Sequence, residues 1–121
     1  MIFDRPTLIE LIDSIRIFLI EDIKNELPNH LAFKIQIAIN VLNIIKRELN
    51  DGEELSSEIQ DMIKLLIKDK DMNSIKDLAE LIQNGQLDLS DKNLQEVLIK
   101  LSKNKVSVDN PNYSTYKKLI K

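Results

Sequence analysis

Apolar residues recur along the chain at helical spacing, which predicts helices joined by short turns. The first helix begins at a capping box of Thr7 and Glu10 and runs to Leu27, where Pro28 ends it. Its apolar residues share one broad face: Leu8, Leu11, Ile12, Ile15, Phe18, Leu19 and Ile23. Ile17 lies outside that face.

A second helix is predicted from His30 to about Asn50, with Gly52 at the position of a left-handed C-cap. The turn at Pro28 makes this helix antiparallel to the first, so that the two form a hairpin. Apolar residues cover well over half of its circumference, as is typical of the most buried helix of a domain. The second helix is therefore expected to be central.

Three more helices are predicted, each after a capping serine, asparagine or aspartate. They run from Ser56 or Ser57 to the charged run Lys68–Asp71, from Asn73 or Ser74 to Gly85, and from Ser90 or Asp91 onward. Residues 106–121 contain the turn sequence Asp109-Asn110-Pro111-Asn112 and are predicted to form a C-terminal strap with a mobile end. The predicted fold is all-α, a single-domain bundle of about five helices over residues 1–121.

The composition fits a folded domain and indicates a cytoplasmic location. Because the chain has no cysteine, it has neither a disulfide framework nor a thiolate zinc site. The formal net charge is −3, with acidic and basic residues interspersed, which argues against nucleic acid or an anionic membrane as a partner. Charged residues interrupt the apolar N-terminal stretch too often for a signal peptide or a membrane span.

The residues that most enzymes need are missing from the sequence. His30 is the only histidine, which excludes a histidine pair for zinc, and two isolated glycines cannot build a phosphate loop. Carboxylate pairs one turn apart, such as Asp22 and Glu26, are ordinary on solvated helix faces. The sequence therefore predicts no catalytic activity, no metal and no cofactor.

Two charged residues fall where the helical pattern calls for apolar ones. Arg16 borders the apolar face of the first helix, and Glu48 lies inside the apolar arc of the second. Antiparallel pairing of the two helices brings Arg5 within reach of Glu48. We interpret the expected ion pair as a structural one that docks the N-terminus, because an unpaired buried charge is costly; an ionic-ligand site is the alternative.

The polar face of the second helix is a narrow line formed by Gln36, Asn40, Asn43 and Arg47. This line faces water or hydrogen-bonds to a passing segment such as the C-terminal strap. A ligand or partner site is the other interpretation.

Several separated motifs resemble, in their order, a bacterial family of small helical proteins catalogued as a domain of unknown function. They are Arg5-Pro6-Thr7, Glu10-Leu11, Arg16-Ile17-Phe18-Leu19, Phe33, Ile37-Ala38-Ile39-Asn40-Val41-Leu42, Arg47-Glu48-Leu49, Val108-Asp109-Asn110-Pro111 and Tyr113. The chain departs from the family pattern at Asn29, where glycine often follows the proline, and at Gln36, where arginine is common.

The resemblance implies little chemistry, because it brings no catalytic residues to transfer. It implies a gene neighbourhood with an aminoglycoside-phosphotransferase-like kinase and with acyl-CoA dehydrogenases. It also selects a set of polar residues that could join the first two helices and the strap in one network: Arg5, Arg16, Asn40, Arg47, Glu48 and Asn110.

Two hypotheses for the function follow. The chain is an interaction or accessory module for the phosphotransferase-like kinase, as the outlying Ile17 and the apolar second helix indicate. The alternative is a bundle that binds an acyl or anionic ligand, lined by Phe33, Ile37 and Leu42 with contacts from Arg16, Asn40 or Arg47. A homo-oligomer is possible in either case, because so apolar a helix can complete its core across a two-fold axis.

Overall fold

The structure, a computed structural model, describes residues 4–67 and 71–120. Regular structure in these residues is entirely helical, and it contains five α-helices: α1 Leu8–Phe18, α2 Asn29–Ile67, α3 Ile75–Gln83, α4 Lys92–Asp109 and α5 Ser114–Leu119. The predicted all-α class and the number of helices are confirmed.

The first helix begins at the predicted capping box. Thr7 Oγ1 accepts the backbone N–H of Glu10 at 3.1 Å, and Glu10 Oε1 accepts the backbone N–H of Thr7 at 3.4 Å. Beyond α1 the chain continues as a π-helical segment, Leu19–Ile23, and a 3₁₀ turn, Lys24–Glu26. The helical path therefore extends nearly as far as predicted, with a change of winding after Phe18.

The predicted end of the second helix at Gly52 is wrong. α2 continues through Gly52 to Ile67 and joins the predicted second and third helices into one helix of 39 residues. Gly52 is buried inside this helix, and the positive φ expected of a C-cap glycine, 83°, occurs at Gly85 instead. One internal glycine costs about 1 kcal/mol relative to alanine, and the helix continues through it between strong helix formers at residues 46–49 and 53–55. The predicted end of the third helix falls on residues 68–70, outside the described residues.

The helix starts after residue 71 agree with the prediction. Ser74 and Asp77 form a second capping box, in which Ser74 Oγ accepts the Asp77 N–H at 3.1 Å. Asp91 caps α4 by accepting the backbone N–H of Asn93 at 2.8 Å. α4 is longer than expected and includes residues 106–109, so the segment predicted as a strap begins as helix. α5 lies in the same segment, and its mobile end stays a prediction.

The chain divides into two compact units, Met1–Asn50 and Asp51–Lys121. The second unit has an apolar core to which the C-terminal half of α2, α3 and α4 contribute: Ile59, Ile63, Leu78, Leu94 and Val97. In the first unit, Ile39 is the only buried residue among residues 4–50. The two units therefore differ sharply in how much apolar surface they cover.

A buried amide joins α2 to α4 inside the second unit. Asn104, 8% exposed, donates from Nδ2 to the backbone carbonyl of Leu55 at 3.1 Å and to Glu58 Oε2 at 3.2 Å. Lys100 Nζ lies 3.5 Å from the same Glu58 oxygen. Because buried polar groups are costly unless they are hydrogen-bonded, this contact fixes the register of α4 on α2.

The core of the second unit should respond strongly to truncation at its centre. Leu94 is fully buried, so we expect Leu94→Ala to lower the free energy of unfolding by about 2–5 kcal/mol through lost burial and the cavity left behind. Urea unfolding followed by circular dichroism measures the change.

Leu89→Ala is the matched control, because Leu89 is 60% exposed and should change the free energy by less than about 0.5 kcal/mol. Equal effects of the two substitutions would contradict the core assignment.

Candidate interaction surface

The first unit leaves a large amount of apolar side chain exposed. The exposed residues lie on α1, on the π-helical segment and on the first half of α2: Leu8, Leu11, Ile15, Ile17, Phe18, Ile20, Leu31, Phe33, Ile37, Val41, Ile45 and Leu49. Single apolar residues on a surface are normal, but large contiguous patches mark binding sites for proteins, ligands or membranes. This surface is therefore the candidate functional site.

Part of the surface is a single row on α1. Leu8, Leu11, Ile15 and Phe18 are spaced three, four and three residues apart, so they lie on one face of the helix. Each is about half exposed, between 46% and 52%. We call these four residues the α1 row.

A second row lies on α2, where every fourth residue from 33 to 49 is apolar and exposed. The members are Phe33, Ile37, Val41, Ile45 and Leu49, with exposures from 41% to 68%. We call them the α2 row. The expectation that the second helix is the most buried one is therefore wrong for this half of α2, in which Ile39 is the one buried residue of the stretch 29–50.

Two side-chain contacts join the α1 segment to α2 in the first unit. Lys46 Nζ donates to both carboxylate oxygens of Asp13, at 3.0 and 3.2 Å. Lys24 Nζ donates to Gln36 Oε1 at 2.6 Å. These contacts are polar and only half-buried, so they add specificity to a unit with little buried apolar area.

Arg16, one of the predicted site residues, belongs to the Asp13 contact. Its Nη2 lies 3.3 Å from Asp13 Oδ1, so that Asp13 is shared between Arg16 and Lys46. The hydrogen bond from Lys46, and then that from Arg16, hold the pKa of the Asp13 carboxyl below its ordinary value. Asp13 is therefore charged at neutral pH and fixes Arg16 beside α2.

The predicted ion pair between Arg5 and Glu48 is wrong. Arg5 pairs with Glu10 instead, at 2.9 Å from Nη2 and 3.2 Å from Nε, and this lowers the pKa of the Glu10 carboxyl. Glu10 is the nearer carboxylate because the capping box holds it at the start of α1, beside Arg5. Glu48 lies in the apolar arc as expected, but it is exposed instead of buried.

One hydrogen bond connects two residues of the predicted polar line on α2. Gln36 Nε2 donates to Asn40 Oδ1 at 2.9 Å, which extends the Lys24 contact along the helix. Asn40 is exposed and Arg47 half-buried. Asn110 lies in the second unit as the C-cap of α4, where its backbone N–H donates to Val106 at 2.8 Å. A network that joins it to the first unit stays a prediction.

A groove lies between α4 and α5 in the second unit, with a volume of about 350 Å³. Its lining is mostly apolar and aromatic: Leu98, Ile99, Val106, Tyr113 and Tyr116, with Ser102, Lys103 and Thr115. The residues that the sequence selected for a ligand pocket are elsewhere, since Phe33 and Ile37 are exposed on the first unit.

Sequence reasoning missed Asp13, Lys46 and Asn104. Asp13 stands three residues before Arg16, a spacing that favours an ion pair on one helix face. Lys46 is 33 positions away from Asp13, and no local pattern joins the two. Asn104 interrupts the inner face of α4 and could have been found as a polar residue at an apolar position.

Residues 4–67 and 71–120 lack two features, a metal-binding cluster and a membrane-spanning helix. Histidine, cysteine and carboxylate side chains in this part of the chain form no group of three that could hold a metal ion. None of the helices there combines the length and apolarity that crossing a membrane requires.

Comparison with known proteins identifies a family for most of the chain. The family model DUF6285, described as a domain of unknown function, matches residues 25–113. This range contains the α2 row and most of the groove, and it begins after the α1 row. Neither the curated proteins nor the solved structures contain a match to the chain.

The shared Asp13 contact predicts an acid-dependent loss of stability. Because the pKa of Asp13 is lowered in the folded chain, its contribution is complete above the ordinary aspartate pKa and disappears as the pH falls through the lowered value. Asp13→Asn should therefore be less stable than the wild type at pH 7, and the difference should shrink below about pH 4. Thermal melts across this range measure it.

Asp22→Asn is the control, because Asp22 is exposed and makes no ion pair with any described residue. It should match the wild type at every pH. A deficit of Asp13→Asn that persists unchanged into acid would contradict the ionic role of Asp13.

Proposed function

The chain belongs to the DUF6285 family, a domain of unknown function, and we propose that it is a non-catalytic protein-interaction module. The observation that carries the proposal is the exposed apolar surface of the first unit, of which the α1 row is one continuous part. Exposed apolar side chains cost about 25 cal/mol per Å² relative to buried ones, so covering the row by a partner is favourable.

We infer that α1 and the first half of α2 form an antiparallel hairpin. The two polar contacts between them support it: Asp13 pairs with Lys46 and Lys24 with Gln36, so that positions advance along one segment as they recede along the other. In such a hairpin the α1 row points away from the Asp13 side of the helix. It is then free to receive a partner.

The shape of the α1 row favours an amphipathic helix as the bound element. Four apolar residues over the eleven positions 8–18 make a stripe roughly 15 Å long, which matches the i, i+3, i+4 anchors of a helix docked along it. Asp22 is exposed one turn beyond Phe18 on the same face. A partner helix with a basic residue next to its apolar stripe would complement this end.

A phosphotransferase-like kinase is the first partner to test. The family resemblance implies that such a kinase is encoded nearby, and the chain would then act as its accessory module in the cytoplasm. The helical character of the chain and the exposed α1 row are compatible with this role.

A substitution in the α1 row should weaken partner binding. Ile15→Asp places a charge at the centre of the row and removes the burial of an isoleucine, worth about 1.5–3 kcal/mol, so the Kd should rise by about 10-fold or more. Isothermal titration calorimetry with the kinase of the same organism measures this.

Ile75→Asp is a closely matched control, since Ile75 is 54% exposed, against 52% for Ile15, and lies on α3 in the second unit, outside the candidate surface. It should leave the Kd unchanged. Equal loss in both variants, or no binding by the wild type at micromolar concentrations, would contradict the proposed surface.

The groove between α4 and α5 favours a second candidate, binding of an acyl or anionic ligand. Its apolar and aromatic lining suits an acyl chain, and the half-buried Lys103 supplies one cation for a carboxylate or phosphate head. This site lies in the second unit. Its candidate ligand contact is therefore Lys103, in place of Arg16, Asn40 and Arg47.

The groove has its own test. Val106→Trp should fill the cavity and abolish binding of a medium-chain fatty acid. Lys103→Gln should weaken binding of the fatty acid more than binding of the matching uncharged alcohol. Lys117→Gln, on the exposed side of α5, is the control and should bind both ligands as the wild type does. Fluorescence titration measures all three, and equal affinities of wild type and Val106→Trp would rule out the groove.

A further inference from the structure

The α2 row is a second exposed apolar surface, and the inference drawn from it goes beyond the proposed function. Its members fall between 41% exposed at Ile45 and 68% exposed at Phe33. A row of five such residues spans about 24 Å of helix. What could cover it is indicated by the arrangement of its residues.

The row is symmetric about Val41. Ile37 and Ile45 each lie four residues from Val41, and Phe33 and Leu49 each lie eight residues from it. Each step of four residues turns the row by about 40°, so Ile37 and Ile45 point within about 40° of the Val41 direction, and Phe33 and Leu49 about 80° to either side of it. If the same helix is laid against Val41 in the opposite direction, Val41 meets Val41 and Ile37 meets Ile45. Phe33 and Leu49 then lie at the margins of the contact. A two-fold axis at Val41 makes this arrangement an isologous interface, in which residue i meets residue j and j meets i.

Charge supplies the second observation. Lys34 and Glu48 each lie seven residues from Val41, on opposite sides and with opposite charges. Seven residues are close to two helical turns, so both side chains point within about 20° of the Val41 direction. Each is exposed, and neither forms an ion pair or hydrogen bond with a described residue. In one chain they are about 21 Å apart along the helix and cannot pair with each other.

We propose that the α2 row binds the α2 row of a second copy of this chain, antiparallel, with the two-fold axis at Val41. Lys34 of each copy then faces Glu48 of the other, so the pair occurs twice. A parallel arrangement would place Lys34 beside Lys34 and Glu48 beside Glu48, and like charges in contact select against it. The apolar row supplies the affinity and the charges set the direction.

The axis at Val41 can be tested by disulfide cross-linking, because the chain has no native cysteine. Helices packed about 8–10 Å apart bring the two Cα atoms of an axial residue to roughly 4–5 Å, within reach of a disulfide. Val41→Cys should therefore form a covalent dimer under mild oxidation.

Ile37→Cys is the matched control, because its own copy lies roughly 12 Å away along the helix axes and cannot be bridged. A mixture of Ile37→Cys and Ile45→Cys chains should cross-link to each other. Cross-linking of Ile37→Cys as readily as Val41→Cys, or of neither, would overturn the proposed axis.

The ion pairs can be tested by charge reversal and rescue. Lys34→Glu and Glu48→Lys each create two like-charge contacts in the dimer, so each should raise the dimer Kd by about 10-fold at low salt. The double variant Lys34→Glu/Glu48→Lys restores both pairs and should return the Kd to within about 3-fold of the wild type. Sedimentation equilibrium measures the Kd, and circular dichroism confirms that each variant is folded.

Rescue can only arise between chains, since the two residues cannot pair within one. A double variant no better than the single ones would overturn the antiparallel pairing. The test is separate from that of the α1 row: Ile15→Asp should leave the dimer intact, and the charge reversals should leave kinase binding intact.

Discussion

The first unit depends on one constraint: a helix can bury only those faces for which it has a neighbour. The N-terminal half of α2 is apolar on several faces, but within residues 4–50 only Ile39 is buried. Two polar contacts tie this half of α2 to the segment before it, Asp13 with Lys46 and Lys24 with Gln36. Such contacts fix the relative position of the two segments more than they stabilise the fold, because half-exposed ion pairs are weak.

In the second unit, the apolar helix faces have neighbours that bury them. Ile59 and Ile63 of α2 pack with Leu78 of α3 and Leu94 of α4 in a closed core. One helix therefore contributes to both units, buried at one end and exposed at the other. This contrast supports a division of roles, in which the second unit provides stability and the first provides binding surface.

Local signals in the sequence predicted the helix starts, because a capping residue and its partner are only three positions apart. Thr7 with Glu10 and Ser74 with Asp77 are the clearest cases. The predicted helix end at Gly52 was wrong because a glycine inside a helix and one at its end look alike in a sequence until the φ angle is known. The contact of Asp13 with Lys46 was not predictable, because it depends on the register of two separate segments.

Single residues of the candidate site were predictable from the sequence, but their arrangement was not. Sequence reasoning recognised that Glu48 lies among apolar residues and that α2 has more apolar faces than a simple helix needs. It placed Glu48 in a core with Arg5, although Glu10 is the nearer partner for Arg5. Because this half of α2 is exposed, Glu48 belongs to a surface. Its position opposite Lys34 about Val41 then allows the proposed pairing between two copies.

Sedimentation equilibrium of the unmodified chain shows whether a second copy covers the α2 row in solution in the absence of any other partner. An antiparallel dimer of α2 rows predicts a species of twice the chain mass of 14.0 kDa that dissociates on dilution. A mass of 14.0 kDa at every concentration would contradict it and would mean that the α2 row stays uncovered.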